Sequence, residues 1–132
     1  MKRNNNEGFT LAELLIVVAI IAVLVAIAIP VFTTQLEKSR ESTDLANVRS
    51  AYAEQMTYLL TWDGTSNIED IVVPAQQTQD NWQSNSDNPT ATIAAGKTGS
   101  GGAISVPCHT KGGGTAGYTV KVDTTNMKVT VE

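Results

Sequence analysis

The apolar positions of this chain are distributed unevenly. From Phe9 to Phe32 the only charged residue is Glu13, and the run from Leu14 to Ile29 is wholly apolar. About 20 apolar residues, at a rise of about 1.5 Å each, span the hydrocarbon core of a bilayer. The pattern therefore predicts that residues 9–32 form a membrane-spanning helix.

The next segment, residues 33–60, remains helical in character but becomes amphipathic. It contains no Gly or Pro, and its apolar side chains recur at spacings of three and four: Leu45, Val48, Tyr52, Met56 and Leu59. This spacing is typical of one helix face. We expect most of the charged residues, from Glu37 to Glu54, to lie elsewhere on the helix. The two segments predict one helix from near Phe9 to near Leu60.

Pro30 interrupts this helical pattern. Proline lacks a backbone donor and clashes with the preceding turn, so a kink or local melting is expected near Ala26 to Pro30. The strongly helical sequence that follows predicts that the helix resumes.

The C-terminal residues show the alternation of a β-hairpin. Inward-facing positions are predicted at Tyr118, Val120, Val122, Met127, Val129 and Val131, with a turn at Asp123–Asn126. Ala103–Val106, ended by Pro107, is the candidate third strand. Because about three strands are needed to cover an amphipathic helix, the sequence predicts an α+β fold: a long N-terminal helix against a small antiparallel sheet.

The connecting region is poor in apolar residues. Trp62–Thr65 is expected to end the helix in a turn, and Ile68–Val73 to form a short strand or helical turn. Gln76–Thr92 is predicted to be a polar loop anchored by Trp82, and two glycine-rich stretches are expected to be flexible breaks: Gly96–Gly102 and Gly112–Gly114. The predicted organisation is a leader at 1–8, a membrane segment at 9–32, an amphipathic helix at 33–60 and a loop-rich region with a sheet at 61–132, so that residues 33–132 form the globular domain.

Composition excludes some classes of function. The chain has 132 residues and a net charge of -4, which becomes about -5 without residues 1–8. Nucleic-acid binding relies on clustered Lys and Arg, and the sequence gives no direct indication of it. Gly96-Lys97-Thr98 resembles the end of a phosphate-binding loop, but the upstream glycine of that motif is absent.

Cys108 and His109 are the only Cys and His in the sequence. A thiol and an imidazole adjacent in sequence seldom have the geometry of a nucleophile and its base, and a zinc site needs further ligands. We expect a loop at the solvent edge, and the sequence predicts neither a metal site, nor a cofactor, nor an enzyme.

Glu13 is the unusual residue of the apolar segment. A carboxylate in a membrane span costs about 2.5 to 3.5 kcal/mol on insertion scales, and such residues usually mark a function or a partner. A cut before Phe9 would create an amine one helical turn from Glu13. Gly8 precedes that bond, and a residue without Cβ offers a peptidase an unhindered, extended substrate.

Two simpler interpretations of the N-terminus explain the sequence less well. A secretory signal peptide would have a shorter apolar core and small residues at a cleavage site, whereas here Pro30-Val31-Phe32 follows the run. A plain signal anchor matches the hydropathy but leaves Glu13 unexplained. The basic residues Lys2 and Arg3 favour a cytoplasmic N-terminus.

The stretch Gly8-Phe9-Thr10-Leu11-Ala12-Glu13-Leu14, with the apolar run and Pro30, resembles the prepilin motif of type IV pilins and type II secretion pseudopilins. The resemblance covers Met1 to about Phe32, and Ala12 departs from the more frequent Val. It implies that a prepilin peptidase cuts after Gly8 and methylates the amine of Phe9. It also implies that Glu13 pairs with the N-terminus of a neighbouring subunit. Glu13, Phe9 and Pro30 are therefore the expected assembly residues.

The resemblance implies a structural subunit of a type IV pilus or pilus-like filament. Its expected partners are further copies in a helical filament, the prepilin peptidase, the assembly machinery and, before assembly, membrane lipid. The expected location is a cytoplasmic or inner membrane, crossed once with the N-terminus inside, and then an extracellular filament. Three alternatives stay open: a minor pilin, a pseudopilin of a secretion or DNA-uptake system, and a membrane-anchored binding module that never polymerises. The single cysteine departs from many Gram-negative pilins, whose C-terminal loop is closed by a disulfide.

Overall fold

The computed structural model describes residues 8–84, 90–94, 103–110 and 117–132. The leader before Gly8 and the two predicted glycine-rich breaks lie outside these residues. The described elements are one helix and five strands: α1 (Leu11–Leu60), β1 (Ile71–Pro74), β2 (Thr90–Ala94), β3 (Ala103–Pro107), β4 (Gly117–Asp123) and β5 (Lys128–Val131). The predicted α+β class, with a long helix and a small antiparallel sheet, is confirmed.

Helix α1 continues through Pro30, so the expectation of local melting there is wrong. Proline removes a single donor, and the residues on either side of it still follow the helical pattern. The hydroxyl groups of Thr33 and Thr34 each donate to the Pro30 carbonyl at 3.0 Å. The chain divides into two compact units, one ending at Gln35 and one spanning Leu36–Glu132, and α1 contributes residues to both.

The predicted hairpin is confirmed as β4 and β5, with Val122 opposite Val129. Its turn comes one residue later than expected, at Thr124–Met127. Met127 has a φ of 50° and is exposed, so its assignment to the inward-facing strand is wrong. The Asp123 carboxylate accepts the backbone N–H groups of Thr125 and Asn126, which fixes the turn before the strand can begin.

The third strand of this sheet is β1, and the sheet order is β1-β4-β5, all antiparallel. The prediction that Ala103–Val106 fills that place is wrong, because β3 pairs instead with β2 in a separate two-stranded sheet. The prediction of a loop as far as Thr92 is also wrong, since β2 begins at Thr90. Its single large apolar residue, Ile93, is fully buried, and one anchor is too little to stand out in a polar sequence.

The core of the second unit lies between α1 and the strands. The predicted apolar stripe of α1 is confirmed: Val48 and Leu59 are buried, while Leu45, Tyr52 and Met56 pack against the core from its margin. Trp82 is 1% exposed, so its prediction as an anchor is also confirmed. The strands supply the remaining buried apolar residues, which include Val73, Val106, Tyr118, Val120, Val129 and Val131.

The charged residues of α1 depart most from expectation. Glu37, Glu41 and Asp44 are buried, although the sequence pattern assigned most charges to other faces of the helix. A buried carboxylate is tolerated when several hydrogen bonds replace its water. Here the donors are backbone N–H groups of residues 76–84. Apolar periodicity carries no information about such donors.

Candidate assembly site

The N-terminus of α1 is closed by reciprocal hydrogen bonds between Thr10 and Glu13. The backbone N–H of Glu13 donates to Thr10 Oγ1 at 3.2 Å, and the backbone N–H of Thr10 donates to Glu13 Oε2 at 2.8 Å. The Thr10 hydroxyl also donates to Oε2 at 3.0 Å. This is the capping box, which satisfies two of the donors that a helix start leaves free.

Thr10 is a site residue that the sequence prediction missed. The signal was available, since a Thr followed three positions later by Glu and then by an apolar run is the sequence signature of this cap. Glu13 therefore has a second role, as a capping residue of its own helix.

The two oxygens of the Glu13 carboxylate have different surroundings. Oε2 receives both bonds from Thr10, whereas Oε1 receives no hydrogen bond from the described part of the chain. A carboxylate accepts several hydrogen bonds, two or more at each oxygen. Glu13 can therefore cap its own helix and accept a cationic donor at Oε1 at the same time.

Gly8 and Phe9 lie just before α1 and are exposed, Phe9 to 93%. A Cβ added at Gly8 would meet nothing within 4 Å. The fold therefore gives no steric reason for a glycine at this position. Pro30 lies about six helical turns beyond Phe9, so the structure gathers Gly8, Phe9, Thr10 and Glu13 at one helix end and leaves Pro30 apart.

The surface of α1 from Leu11 to Leu36 is exposed at every side chain. By length and composition, α1 is apolar enough to cross a membrane, and its most apolar stretch is entirely unburied within the chain. An isolated soluble unit rarely exposes so large an apolar surface, and such surfaces mark contact with a membrane or with another protein.

Cys108 and His109 are both partly buried, so the expectation of a solvent-edge loop holds only in part. Burial raises the pKa of the Cys108 thiol, which disfavours the reactive thiolate. The His109 ring packs edge-on against Tyr118, with centroids 5.1 Å apart. Among the described residues, no group of three or more His, Cys, Asp or Glu side chains is placed to hold a metal ion.

Comparison with known proteins places the N-terminus in a recognised motif. Residues 3–29 match the prokaryotic N-terminal methylation motif. No solved structure matches the chain with statistical significance.

Three relatives carry pilin names. The type IV major alpha-pilin of Moraxella bovis is 35% identical over 109 residues, which cover 70% of this chain and 69% of that protein. The type IV major pilin protein PilA of Myxococcus xanthus is 44% identical over 62 residues, 47% of this chain and 28% of that protein. The type IV narrow pilus major component PilA5 of Thermus thermophilus is 52% identical over 50 residues, 36% of this chain and 43% of that protein.

The matches therefore span less than half the length of the Myxococcus and Thermus proteins, but over two thirds of the Moraxella pilin. The match to the Moraxella pilin extends well beyond the N-terminal motif. This chain belongs to the type IV pilin family.

Proposed function

We propose that this protein is a structural subunit of a type IV pilus or pilus-like filament and that it polymerises through the first half of α1. The carrying observation is the helix surface from Leu11 to Phe32, which is exposed at every side chain and carries one charge, Glu13. Lipid covers this surface before assembly, and the same segments of other copies cover it in the filament. The role is non-catalytic.

Processing is the first step of the proposal. A prepilin peptidase cuts after Gly8, and the amine of Phe9 is then methylated. The match to the N-terminal methylation motif and the exposure of both residues support this step. Gly8 contacts nothing that a Cβ would disturb, so its value lies in the peptidase complex and not in the fold.

Pairing is the second step. After cleavage, the amine of Phe9 in one subunit donates to Glu13 Oε1 of an adjacent subunit, while Oε2 continues to cap its own helix. The division of labour between the two oxygens supports this arrangement. In a low-dielectric surrounding, an unpaired charge is costly, so the pair selects one register of helix against helix.

The remaining parts of the proposal follow from the N-terminal segment. Lys2 and Arg3 keep the N-terminus in the cytoplasm, so the second unit lies on the outer side of the membrane. Pro30 removes one backbone donor from its turn of α1. The missing hydrogen bond lets the helix adapt as it exchanges lipid for protein neighbours. The assembly machinery that extracts the subunit is a further partner.

The experiment compares Glu13→Gln and Glu13→Ala with Thr10→Ala in the native host, in strains without a wild-type copy. Glutamine keeps an oxygen for the cap but places an amide NH₂ where the amine is expected, so filaments are lost. Cleavage after Gly8 persists. Alanine removes both functions and also abolishes filaments. Thr10→Ala removes part of the cap and leaves the carboxylate, so filaments form in reduced number.

Cleavage is read from the mass of the mature chain and assembly from filaments sheared off the cells. Abundant filaments of cleaved Glu13→Gln protein would contradict the pairing mechanism. A mature chain that still begins at Met1 would contradict the processing step. The relatives named as major pilins favour the bulk subunit over a minor pilin or pseudopilin, and the share of this chain in purified filaments tests that preference.

A further inference from the structure

The segment of α1 that opens the second unit is attached to that unit without apolar burial. Between Leu36 and Asp44 the buried side chains are Glu37, Glu41 and Asp44, exposed to 1%, 1% and 0%. Leu36 is 40% exposed, and the buried apolar face of the helix begins only at Val48. Two turns of helix are therefore held by polar side chains alone, namely these carboxylates and Arg40, which donates to Thr78 Oγ1 at 3.0 Å.

These carboxylates lie at spacings of four and three, so they line one face of the helix. All three point at residues 76–84, which follow β1 and are called the strap below. Six backbone N–H groups of the strap donate to them, two for each carboxylate: Gln76 and Gln77 to Asp44, Thr78 and Gln79 to Glu37, and Gln83 and Ser84 to Glu41.

The strap covers polar groups of the core on its inner side. Gln77 is fully buried, accepts a hydrogen bond from the Tyr118 hydroxyl at 2.8 Å and approaches Cys108 Sγ with its amide nitrogen at 3.5 Å. Trp82 is the strap's one large buried apolar side chain. Displacement of the strap would expose the Cys108 thiol, which gives the molecule a natural reporter for this motion.

We propose that the strap is a releasable clasp: the carboxyl groups of Glu37, Glu41 and Asp44 hold it on α1, and it opens while the β1-β4-β5 sheet stays paired. When it is closed, residues 36–44 of the helix belong to the folded unit. When it is open, those two turns are free of it. The clasp thus changes where the folded unit ends along the helix.

The chemistry of the contact explains why opening is separate from unfolding. Opening exchanges carboxylate–amide bonds for bonds to water, and water solvates both partners well, so the net cost per bond is modest. The one large apolar side chain that opening exposes is Trp82. Opening the sheet would instead expose the apolar core between Val48, Val120 and Val129. Segments of this kind occupy the low end of the range of local opening energies.

The test measures amide hydrogen exchange, by mass spectrometry, on the full chain in detergent micelles. Glu41→Gln is the strongest variant, because each of its oxygens serves one N–H group and glutamine turns one oxygen into a donor. The expected result is exchange of the strap amides about ten- to hundredfold faster, with β4 and β5 unchanged. Cys108 should react correspondingly faster with an uncharged disulfide reagent.

Glu37→Gln is a graded variant of the same test. Glu37 Oε1 serves both Thr78 and Gln79, so glutamine can keep that oxygen in place and turn its NH₂ toward Thr78 Oγ1. Its effect on the strap amides should be smaller than that of Glu41→Gln. Glu54→Gln is the matched control, because Glu54 lies on the same helix, is exposed and bonds only the Tyr58 hydroxyl among the described residues.

Two results would overturn the proposal. Strap amides that exchange at the wild-type rate in Glu41→Gln would mean that the carboxylates do not hold the strap. Loss of protection in the strap and the sheet together, in Glu41→Gln and Glu37→Gln alike, would mean that the carboxylates support the whole fold and that no separate opening exists.

Discussion

The two halves of α1 combine hydrophobicity and burial in opposite ways. In the first half, Val18 is 56% exposed in a stretch that is almost wholly apolar. In the second half, Val48 is fully buried in a stretch rich in charge. The folded chain buries one face of the second half, which has fewer apolar residues. It leaves the more apolar first half exposed.

The carboxylates show the same inversion. Glu13 is exposed within the apolar half, while Glu41 is buried within the polar half. Glu41 is stable there because backbone donors from another part of the chain replace its water. Among the residues that the structure describes, Glu13 has donors for only one oxygen, and both come from the neighbouring Thr10. Burial within the chain therefore follows the supply of partners, and a residue that lacks them indicates where an external partner is needed.

The sharpest test of this contrast places the same substitution in both halves. Val48→Asp puts an unpaired charge into the core of the second unit and should destabilise it by about 3–5 kcal/mol. Val18→Asp should leave the free energy of unfolding of that unit unchanged, although it adds about 2.5–3.5 kcal/mol to membrane insertion. Urea unfolding in micelles, followed by tryptophan fluorescence, measures the first effect. Equal destabilisation by the two variants would refute the independence of the halves.

Two glycines provide a second matched pair, with a smaller expected effect. A Cβ at Gly117 would lie 2.6 Å from the Val73 carbonyl oxygen, where β1 approaches β4, whereas a Cβ at Gly8 would meet nothing. Gly117→Ala should cost about 1–3 kcal/mol of stability, because the backbone of β1 must move away. Gly8→Ala should leave the melting curve as it is. A stable Gly117→Ala protein would show that β1 is free to shift.

Local patterns predicted most of the architecture. The limits of α1, its apolar stripe and the β4–β5 hairpin each depend on residues close in sequence, and all three appear in the structure. The partner of the hairpin was not predictable in this way. β1 and β3 are both short and apolar, and the close approach at Gly117 that admits β1 is apparent only once the strands are placed.

The N-terminal site and the buried carboxylates of α1 also differ in whether their partners are close in sequence. Gly8, Phe9, Thr10 and Glu13 lie within six consecutive residues, so their arrangement follows from sequence once the helix start is known. Glu37 and its strap partners are 41 and 42 residues apart, and Glu41 and its partners 42 and 43. No periodicity along α1 identifies these partners, because the donors are backbone groups that any residue carries.

The smallest expected effect concerns the pH dependence of Glu37. Burial raises the pKa of this carboxyl, but hydrogen bonds from Gln79, Thr78 and Arg40 outweigh burial and leave the pKa below its ordinary value of 4.5. A carboxyl whose pKa is lower in the folded state stabilises the fold at neutral pH, and this contribution is lost as the pH falls through the folded-state pKa. Glu37→Gln should therefore cost about 1 kcal/mol at neutral pH, and its difference from wild type should shrink as the pH falls below the ordinary carboxyl pKa of 4.5.

Asp44 must be taken into account in this comparison, because its pKa is shifted in the opposite direction. Burial raises its pKa, the nearby Glu37 charge adds to the rise, and the amides of Gln77 and Gln76 offset only part of it. Its contribution is present at acid pH and is lost as the pH rises through its folded-state pKa. Glu37→Gln keeps the burial of Asp44 but removes the Glu37 charge, so the Asp44 pKa is raised less in the variant than in the wild type. The measurement is the difference between the urea midpoints of wild type and Glu37→Gln across the pH series. In the wild type, Arg40 is the cation beside Glu37. A difference that stays constant from neutral to acid pH would show that the Glu37 charge does not stabilise the fold, and that an uncharged acceptor serves the strap equally well.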